Sequence, residues 1–571
     1  MSSANRGARK HSEPAVALLS PSLGHGTYGA VHKGYVRGFP ELQHLENHAI
    51  AIKSPFQQPS GGAGVPQMQL REVVAMCSIP PHPNIMPFHA GIIEEGARGT
   101  GLHILMPCAQ GTAKSFLKVK PLSCEEILRW SSHLADAVAH LHAHGWIHRD
   151  IKLENCMIFD GALVLGDLGL TRLSMMDAAA PLVPNASSDV QMTTDVCTET
   201  TRAPEVFIAE ASGAPTTYDY GLPSDIWSLG ACCLAMACGG YVFRSSAHGA
   251  KDALTSIWKL LGRPTEWRLV KDAASFPAPT DAVAALRAQA AGRKDLPDAW
   301  WFAVEKLLRV LPWTRSTALQ ASESFRSLSV PTALKQESAG NTPELKWQGF
   351  SGTPRVLLRG GVAARCSVAE SATLKCMVAC WDASRSLALA PLAGFAAQIL
   401  LARAHLHVIP SKHLAGACLS LAAKCCMFSA PSVNAVAAAL RVSEAVVARC
   451  EWQVLQCLGG QLLSEELRCA LRLWPPRLHQ GLSGNPLSVC LVSALLALHP
   501  GTEVVVAFQD AEIMLRGTAP GPMAQHARIA RLVQACKSGE CMSYFRAWPS
   551  AWADSTAAIR AWASSIRISS E

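Results

Sequence analysis

No two cysteines in this chain are spaced C-x-x-C, no apolar run is long enough for a bilayer, and no block of lysines and arginines resembles a nucleic-acid-binding arm. The first absence argues against a zinc ribbon or a redox motif. With twenty cysteines present, several at helical spacing (Cys376 with Cys380, Cys450 with Cys457), the expected role is that of small core residues with reduced thiols in an intracellular compartment. The most apolar run, Leu387 to Ala402, is shorter than a transmembrane helix needs and is interrupted by Pro391, Gly394 and Gln398. The opening MSSANRGARKHSEP has no apolar stretch behind it, so neither a secretory signal nor a membrane anchor is expected there. The net charge of +8 is scattered, which reads as a solvated surface and predicts no nucleic-acid or membrane partner.

What is present is apolar bulk. Hydrophobic residues make up 49% of 571 residues, enough to bury cores and too many for a mostly disordered chain, so roughly two to four domains are expected. After a polar tail (1–15), Val16 to Lys53 alternates apolar segments with glycine turns, as strands in hairpins do. A helix is predicted over Gln67 to Ser78 and a longer one over Ser123 to His144, where Ile127, Trp130, Leu134, Val138 and Leu141 recur at helical spacing. Short strands are predicted at Cys156 to Phe159 and Leu163 to Leu165, and mostly helix beyond Asp225. Residues 326–365, rich in Ser, Gly, Pro and Thr, read as an aperiodic linker, and 366–571 as Ala-rich helices with Ser411 and Ser443 as N-caps and Gly459-Gly460 as a stop.

Three groups of residues carry chemistry. Gly24-His-Gly26-Thr-Tyr-Gly29-Ala-Val31 sits between two strand readings, where glycines let a hairpin lie close over phosphates. Ala-Ile-Ala-Ile-Lys53 then reads as a strand ending in a lysine, and Glu72 follows on a helix, so that a buried lysine held by a carboxylate can grip the α- and β-phosphates. The third group, Ile147-His148-Arg149-Asp150-Ile151-Lys152-Leu153-Glu154-Asn155, is the most specific. It supplies a carboxylate to orient an attacking hydroxyl (Asp150), a cation to neutralise the moving phosphoryl (Lys152) and an amide oxygen for a metal (Asn155). Asp167, in Leu165-Gly-Asp167-Leu-Gly169, adds a carboxylate suited to magnesium.

These residues resemble the eukaryotic protein kinase superfamily, and the likeness continues through Ala203-Pro204-Glu205, Asp225-Ile-Trp-Ser-Leu-Gly230 and Arg315. It implies an α+β fold, a bilobal kinase domain (16–325) with a small β-rich N-lobe and a helical C-lobe. It also implies transfer of phosphate from ATP with Mg2+ to serine or threonine of protein substrates. Leu23, Gly24, Gly26, Gly29, Val31, Lys53, Glu72, Met106 and Cys108 would face the nucleotide, Glu205 would pair with Arg315, and Asp225 would brace the catalytic loop. The glycine loop, Gly64-Val-Pro-Gln-Met-Gln-Leu-Arg-Glu72 and His82-Pro83-Asn84-Ile85 are similar to cyclin-dependent kinases in particular. That resemblance makes Thr27 and Tyr28 inhibitory phosphorylation sites and Thr193 an activating one served by an upstream kinase. Arg71, Arg149 and Arg172 would receive its phosphate. Val196, Cys197 and Arg202 would favour proline after the acceptor. Leu168, Thr200-Thr201, the Met106-Pro107-Cys108 segment and extra residues between Met175 and Gln191 depart from the pattern.

In the second half, Leu414, Cys418, Leu421 and Cys425 repeat at helical spacing, as do Val447, Cys450, Val454 and Leu458. The pattern resembles a cyclin box (366–465), with Lys424 and Glu451 where that family meets its kinase; 466–571 would be a second cyclin-like helical region. The two resemblances together imply an activator carried in cis, in the nucleus or the cytoplasm. The alternative is a pseudokinase scaffold whose helical half recruits partners.

Overall fold

The computed structural model describes residues 13–26, 29–55, 64–96, 99–173, 199–212, 221–243, 250–264, 279, 281–290, 293–328, 348–349, 355–358, 376, 379–380, 383–384, 386–387, 391–404, 408, 411–426 and 430–463. Thr27, Tyr28, Thr193, Val196, Cys197 and the proposed second helical region (466–571) lie outside the described residues.

The small lobe is a sheet built from β1 (Ala15–Leu18), β2 (Gly24–Gly26), β3 (Gly29–Arg37), β4 (Ile50–Pro55), then one helix, α1 (Gln67–Ser78), then β5 (Ala90–Gly96) and β6 (Gly99–Pro107). Antiparallel neighbours run β1-β3-β4-β6-β5, with β2 forming a hairpin on β3. The two-residue period of β4 decides which side chain meets α1. Ile50 and Ile52 enter a core with Val36, Leu42 and Leu105, whereas Ala51 faces the core that contains Val74 and Ile104. Lys53, two positions on from Ala51, therefore projects toward α1.

The large lobe follows: β7 (Gly111–Thr112), α2 (Ala113–Val119), α3 (Cys124–Ala143), β8 (Trp146–Ile147), β9 (Cys156–Phe159), β10 (Ala162–Leu165), β11 (Arg172–Leu173), α4 (Pro204–Ser212), α5 (Leu222–Cys238), α6 (Ala250–Leu261), α7 (Ala282–Gln289), α8 (Asp298–Leu307) and α9 (Ala318–Arg326). Ser123 and Glu126 form a capping box that starts α3, whose stripe of Ile127, Trp130, Leu134, Val138 and Leu141 is buried as the spacing predicts. Helix α5 is buried on all sides from Leu222 to Ala237 and forms the axis of this lobe.

Beyond the lobes come β12 (Gln348–Gly349), β13 (Arg355–Leu357), α10 (Pro391–Ala404), α11 (Lys412–Cys426), α12 (Val433–Leu440) and α13 (Glu444–Cys457). The stretch read as an aperiodic linker thus contributes two strands: β12 pairs with β1 and β13 with β5, closing both edges of the small-lobe sheet. Ladder hydrogen bonds require no hydrophobic period, which is why a pattern search overlooks them. Ser411 caps its helix through Oγ, Ser443 stands at an N-cap without a side-chain bond, and Gly459 and Gly460 adopt positive φ after α13. Among the described residues no cysteines are joined in a disulfide, and no helix is long and apolar enough to span a bilayer.

Three histidines bind the loop after α1 to the end of α3. The rings of His82 and His140 lie 4.6 Å apart and those of His140 and His144 4.3 Å, and His140 Nε2 donates to the Pro80 carbonyl at 2.9 Å. Burial, aided by His144 and His82 against the bond to Pro80, pushes His140 from 6.5 down to about 4. Asp136 and Arg326 also face this group. Between those two values the unfolded chain binds the proton that the folded chain refuses, so stability is lost as pH falls. The melting temperature is expected to decline from about pH 6.5 toward pH 4, and His140→Gln, which keeps a donor for Pro80, to flatten that decline; an unchanged slope would refute the assignment.

Candidate active site

The alternation of β4 and the register of α1 bring Lys53 Nζ within 2.7 and 2.8 Å of the Glu72 carboxylate oxygens, and within 3.2 Å of Asp167 Oδ1. Burial alone would lower the Lys53 pKa; Glu72 and Asp167 outweigh it and leave it raised, so the ammonium is permanently charged. Asp167 stands at φ 57, ψ 67, a left-handed conformation that aims its side chain back at Lys53. Burial acts to raise its pKa, but Lys53, His148 and Lys152 hold it below the usual range, and 42% of the side chain remains exposed. An open, ionised carboxylate beside a fixed cation is the result.

Above these groups, Gly24 pairs with Val31 and Gly26 with Gly29 in the hairpin of β2 and β3. A Cβ on Gly29 would lie 2.3 Å from the Ser54 carbonyl oxygen, so no side chain fits where the hairpin crosses β4. Leu23 is exposed, Val31 half-buried, and Met106 pairs with Ala51 across β4 and β6, while Cys108 follows at the strand's end.

The catalytic-loop residues converge on Asp150. Lys152 Nζ lies 2.7 Å from Asp150 Oδ2, and Asn155 Nδ2 donates to the Asp150 carbonyl at 2.8 Å and to its Oδ2 at 3.1 Å. These bonds turn Asn155 Oδ1 away from Asp150. The Gly166 N–H donates to the Asn155 carbonyl at 2.8 Å, tying that residue to the one before Asp167. An amide oxygen and an ionised carboxylate on tied segments are hard donors that fit Mg2+.

The loop is held from below by Asp225. Its buried carboxylate accepts from the His148 and Arg149 N–H groups at 2.7 and 2.9 Å and from His142 Nε2 at 3.0 Å. Arg149 can therefore keep φ at 71°, a conformation that costs about 1–3 kcal/mol unless its surroundings impose it. Farther out, Arg315 makes two bonds to Glu205 at 2.7 and 2.8 Å.

Arg71, Arg149 and Arg172 are all buried. Burial, with Arg71 and Arg149 adding to it, lowers the Arg172 pKa to about 8, which marks a cluster of positive charge that favours an anion. The end of α11 adjoins it: Arg71 Nε and Gln67 Nε2 donate to the Lys424 carbonyl at 2.8 and 3.0 Å. Lys424 Nζ bonds both oxygens of fully buried Glu451 at 2.8 and 2.7 Å, and Glu451 Oε2 accepts from the Val65 N–H at 2.8 Å. Gly64, at φ +92°, makes room for that carboxylate, since a Cβ there would lie 2.2 Å from Glu451 Oε2. Gly460 likewise lets the turn after α13 approach Cys77.

Several supports escaped the sequence reading. His142 lies before the motif with no local signal, and His148, although inside the motif, carries no role in that reading; its Nε2 bonds the Gly166 carbonyl at 3.0 Å. Tyr241 comes from beyond α5: its hydroxyl donates to Glu154 at 2.6 Å and accepts from the Leu153 N–H at 2.8 Å.

Residues 19–324, more than half of the chain, match the family described as protein kinase domain. A serine/threonine-protein kinase of Schizosaccharomyces pombe is 29% identical over 247 residues, 42% of this chain and 54% of that protein. A cyclin-dependent kinase of the C-2 type from Arabidopsis thaliana is 27% identical over 331 residues, 57% of this chain and 46% of that one. A probable cell division protein kinase of Encephalitozoon cuniculi is 30% identical over 247 residues, covering 43% and 68%. The chain spans about half the length of the first two relatives.

Proposed function

The chain belongs to the protein kinase family, and on that premise we propose that it transfers the terminal phosphoryl of ATP to serine or threonine hydroxyls of proteins. The observation that carries this reading is the closed set Lys53–Glu72–Asp167 at 2.7 and 3.2 Å above a joined Asp150, Lys152 and Asn155. Lys53 holds the α- and β-phosphates. Asp150 orients the hydroxyl and accepts its proton, and Lys152 offsets negative charge as the phosphoryl moves. Asn155 and Asp167 would hold Mg2+, which when bound would supply positive charge to offset that of the phosphates. Leu23, Gly24, Gly26, Gly29, Val31, Met106 and Cys108 enclose the nucleotide.

The helical unit acts on this site in cis, as a cyclin-like activator. Support comes from α1, which carries Glu72 and is buried from Gln69 to Ser78 between the sheet and the end of α11. A contact that holds α1 also holds Glu72 on Lys53. Because the units share a chain, their effective concentration is on the order of millimolar, and docking does not wait for a diffusing partner. Phosphate on Thr193, added by an upstream kinase, would be received by Arg71, Arg149 and Arg172, and Thr27 and Tyr28 would be inhibitory sites. Preference for proline after the acceptor rests on the cyclin-dependent resemblance, as does a nuclear or cytoplasmic site of action.

Labelled ATP with Mg2+ and a peptide array with and without proline after the acceptor tests these readings. Transfer confined to Ser/Thr-Pro peptides is expected. Transfer without regard to proline removes the cyclin-dependent specificity, and no transfer after phosphorylation of Thr193 turns the chain into a scaffold.

A further inference from the structure

Lys114 occupies an unusual place for a lysine. Thr112 and Ser115 form the capping box that starts α2, so Lys114 falls in the first helical turn, where the helix dipole disfavours a cation. Something else must hold it there. Its backbone N–H donates to the Leu153 carbonyl at 3.2 Å, tying α2 to the catalytic loop. Its Nζ lies 4.0 Å from Glu154 Oε1 and 4.2 Å above the ring of Tyr241, whose hydroxyl bonds the other Glu154 oxygen at 2.6 Å. Burial, with Cys232 and Glu154 adding to it, raises the Tyr241 pKa, so the phenol stays a neutral donor.

A carboxylate beside an aromatic face is a subsite for an ammonium or guanidinium. This one opens to solvent, with Glu154 42% and Lys114 26% exposed. It also lies next to the chemistry, because Glu154 precedes Asn155, whose amide is 3.1 Å from Asp150 Oδ2. A side chain about two to three residues from the acceptor on an extended peptide spans that distance.

We propose that Lys114 is a specificity-determining residue, a tethered cation that fills the Glu154–Tyr241 subsite and denies it to basic side chains flanking the acceptor serine or threonine. The proposal rests on the kinase reading above. An incoming arginine must displace Lys114 or accept its repulsion, so it gains little; without Lys114, the same arginine meets an open carboxylate.

The test compares the full chain, Lys114→Ala and the double variant Lys114→Ala/Glu154→Gln on acceptor peptides in which arginine replaces alanine at each flanking position in turn. The expected wild-type preference for arginine is close to one. In Lys114→Ala it rises about fivefold at one or two positions, the scale of a partly exposed ion pair, and Glu154→Gln abolishes the gain. A Lys114→Ala profile that matches wild type, or a gain that survives Glu154→Gln, overturns the proposal. Should the wild-type chain transfer no phosphate, the kinase reading fails by itself, and fluorescence anisotropy of the same arginine and alanine peptides decides this one by the same ratios.

Discussion

Asp150→Asn is expected to lower the rate of phosphoryl transfer by about 10³-fold while nucleotide affinity changes little, since positioned acid–base groups contribute about 10²–10⁴. The substitution conserves shape, and the Asn155 N–H groups still find the Asp150 carbonyl at 2.8 Å. What disappears is the carboxylate oxygen that Lys152 meets at 2.7 Å and that would take the hydroxyl's proton. Lys53, Glu72 and Asp167 are untouched, so the loss should fall on kcat and not on the KM for ATP. Steady-state kinetics with titrated nucleotide reads both. An equal loss in nucleotide affinity, or a rate within tenfold of wild type, would remove Asp150 from the reaction.

Glu451→Ala is expected to have the second-largest effect, through a residue on α13, beyond the two lobes. It leaves Lys424 buried without its counter-charge and the Val65 N–H without its acceptor. Truncating one member of a buried pair costs about 3–5 kcal/mol, against a whole-domain stability of about 5–15 kcal/mol. The helical unit should melt at a markedly lower temperature, and kcat/KM should fall by roughly 10- to 100-fold if docking on α1 keeps Glu72 against Lys53. Gly64→Ala separates the contact from the fold of the helical unit. It keeps both Lys424 and Glu451 in the chain but puts a Cβ 2.2 Å from Glu451 Oε2, on a backbone at φ +92°, so that carboxylate and the segment that carries Val65 must move apart. Reduced activity in both variants supports activation in cis; full activity in Gly64→Ala would end it.

The chemistry was legible because it is local. Asp150, Lys152 and Asn155 fall within six residues of chain, and the order of glycine hairpin, lysine strand and glutamate helix prescribes one arrangement of Lys53 and Glu72. The extents of α1 and α3 were equally readable, as helices over Gln67 to Ser78 and Ser123 to His144, the latter from its apolar stripe. Contacts made by backbone were not. The Val65 N–H, the Lys424 carbonyl and the short ladders of β12 and β13 carry no residue-type signature. Tyr241 and Lys114 were hidden for another reason: each is an ordinary residue on its own element, and only the third dimension sets them around Glu154.

The pairing of β12 and β13 with the outer strands bears on where this gene can be divided. Leu357 is fully buried, and a Cβ on Gly91 would lie 3.3 Å from the Leu357 Cβ, so β12 and β13 belong to the small lobe's own masonry. An expression boundary at residue 325 would leave β1 and β5 as bare edges, the kind of surface that recruits strands from other molecules. A fragment that keeps both edges of the small-lobe sheet sealed ends no earlier than residue 358. An exchange of the helical half for a foreign one is sound only if the seam is placed after that point.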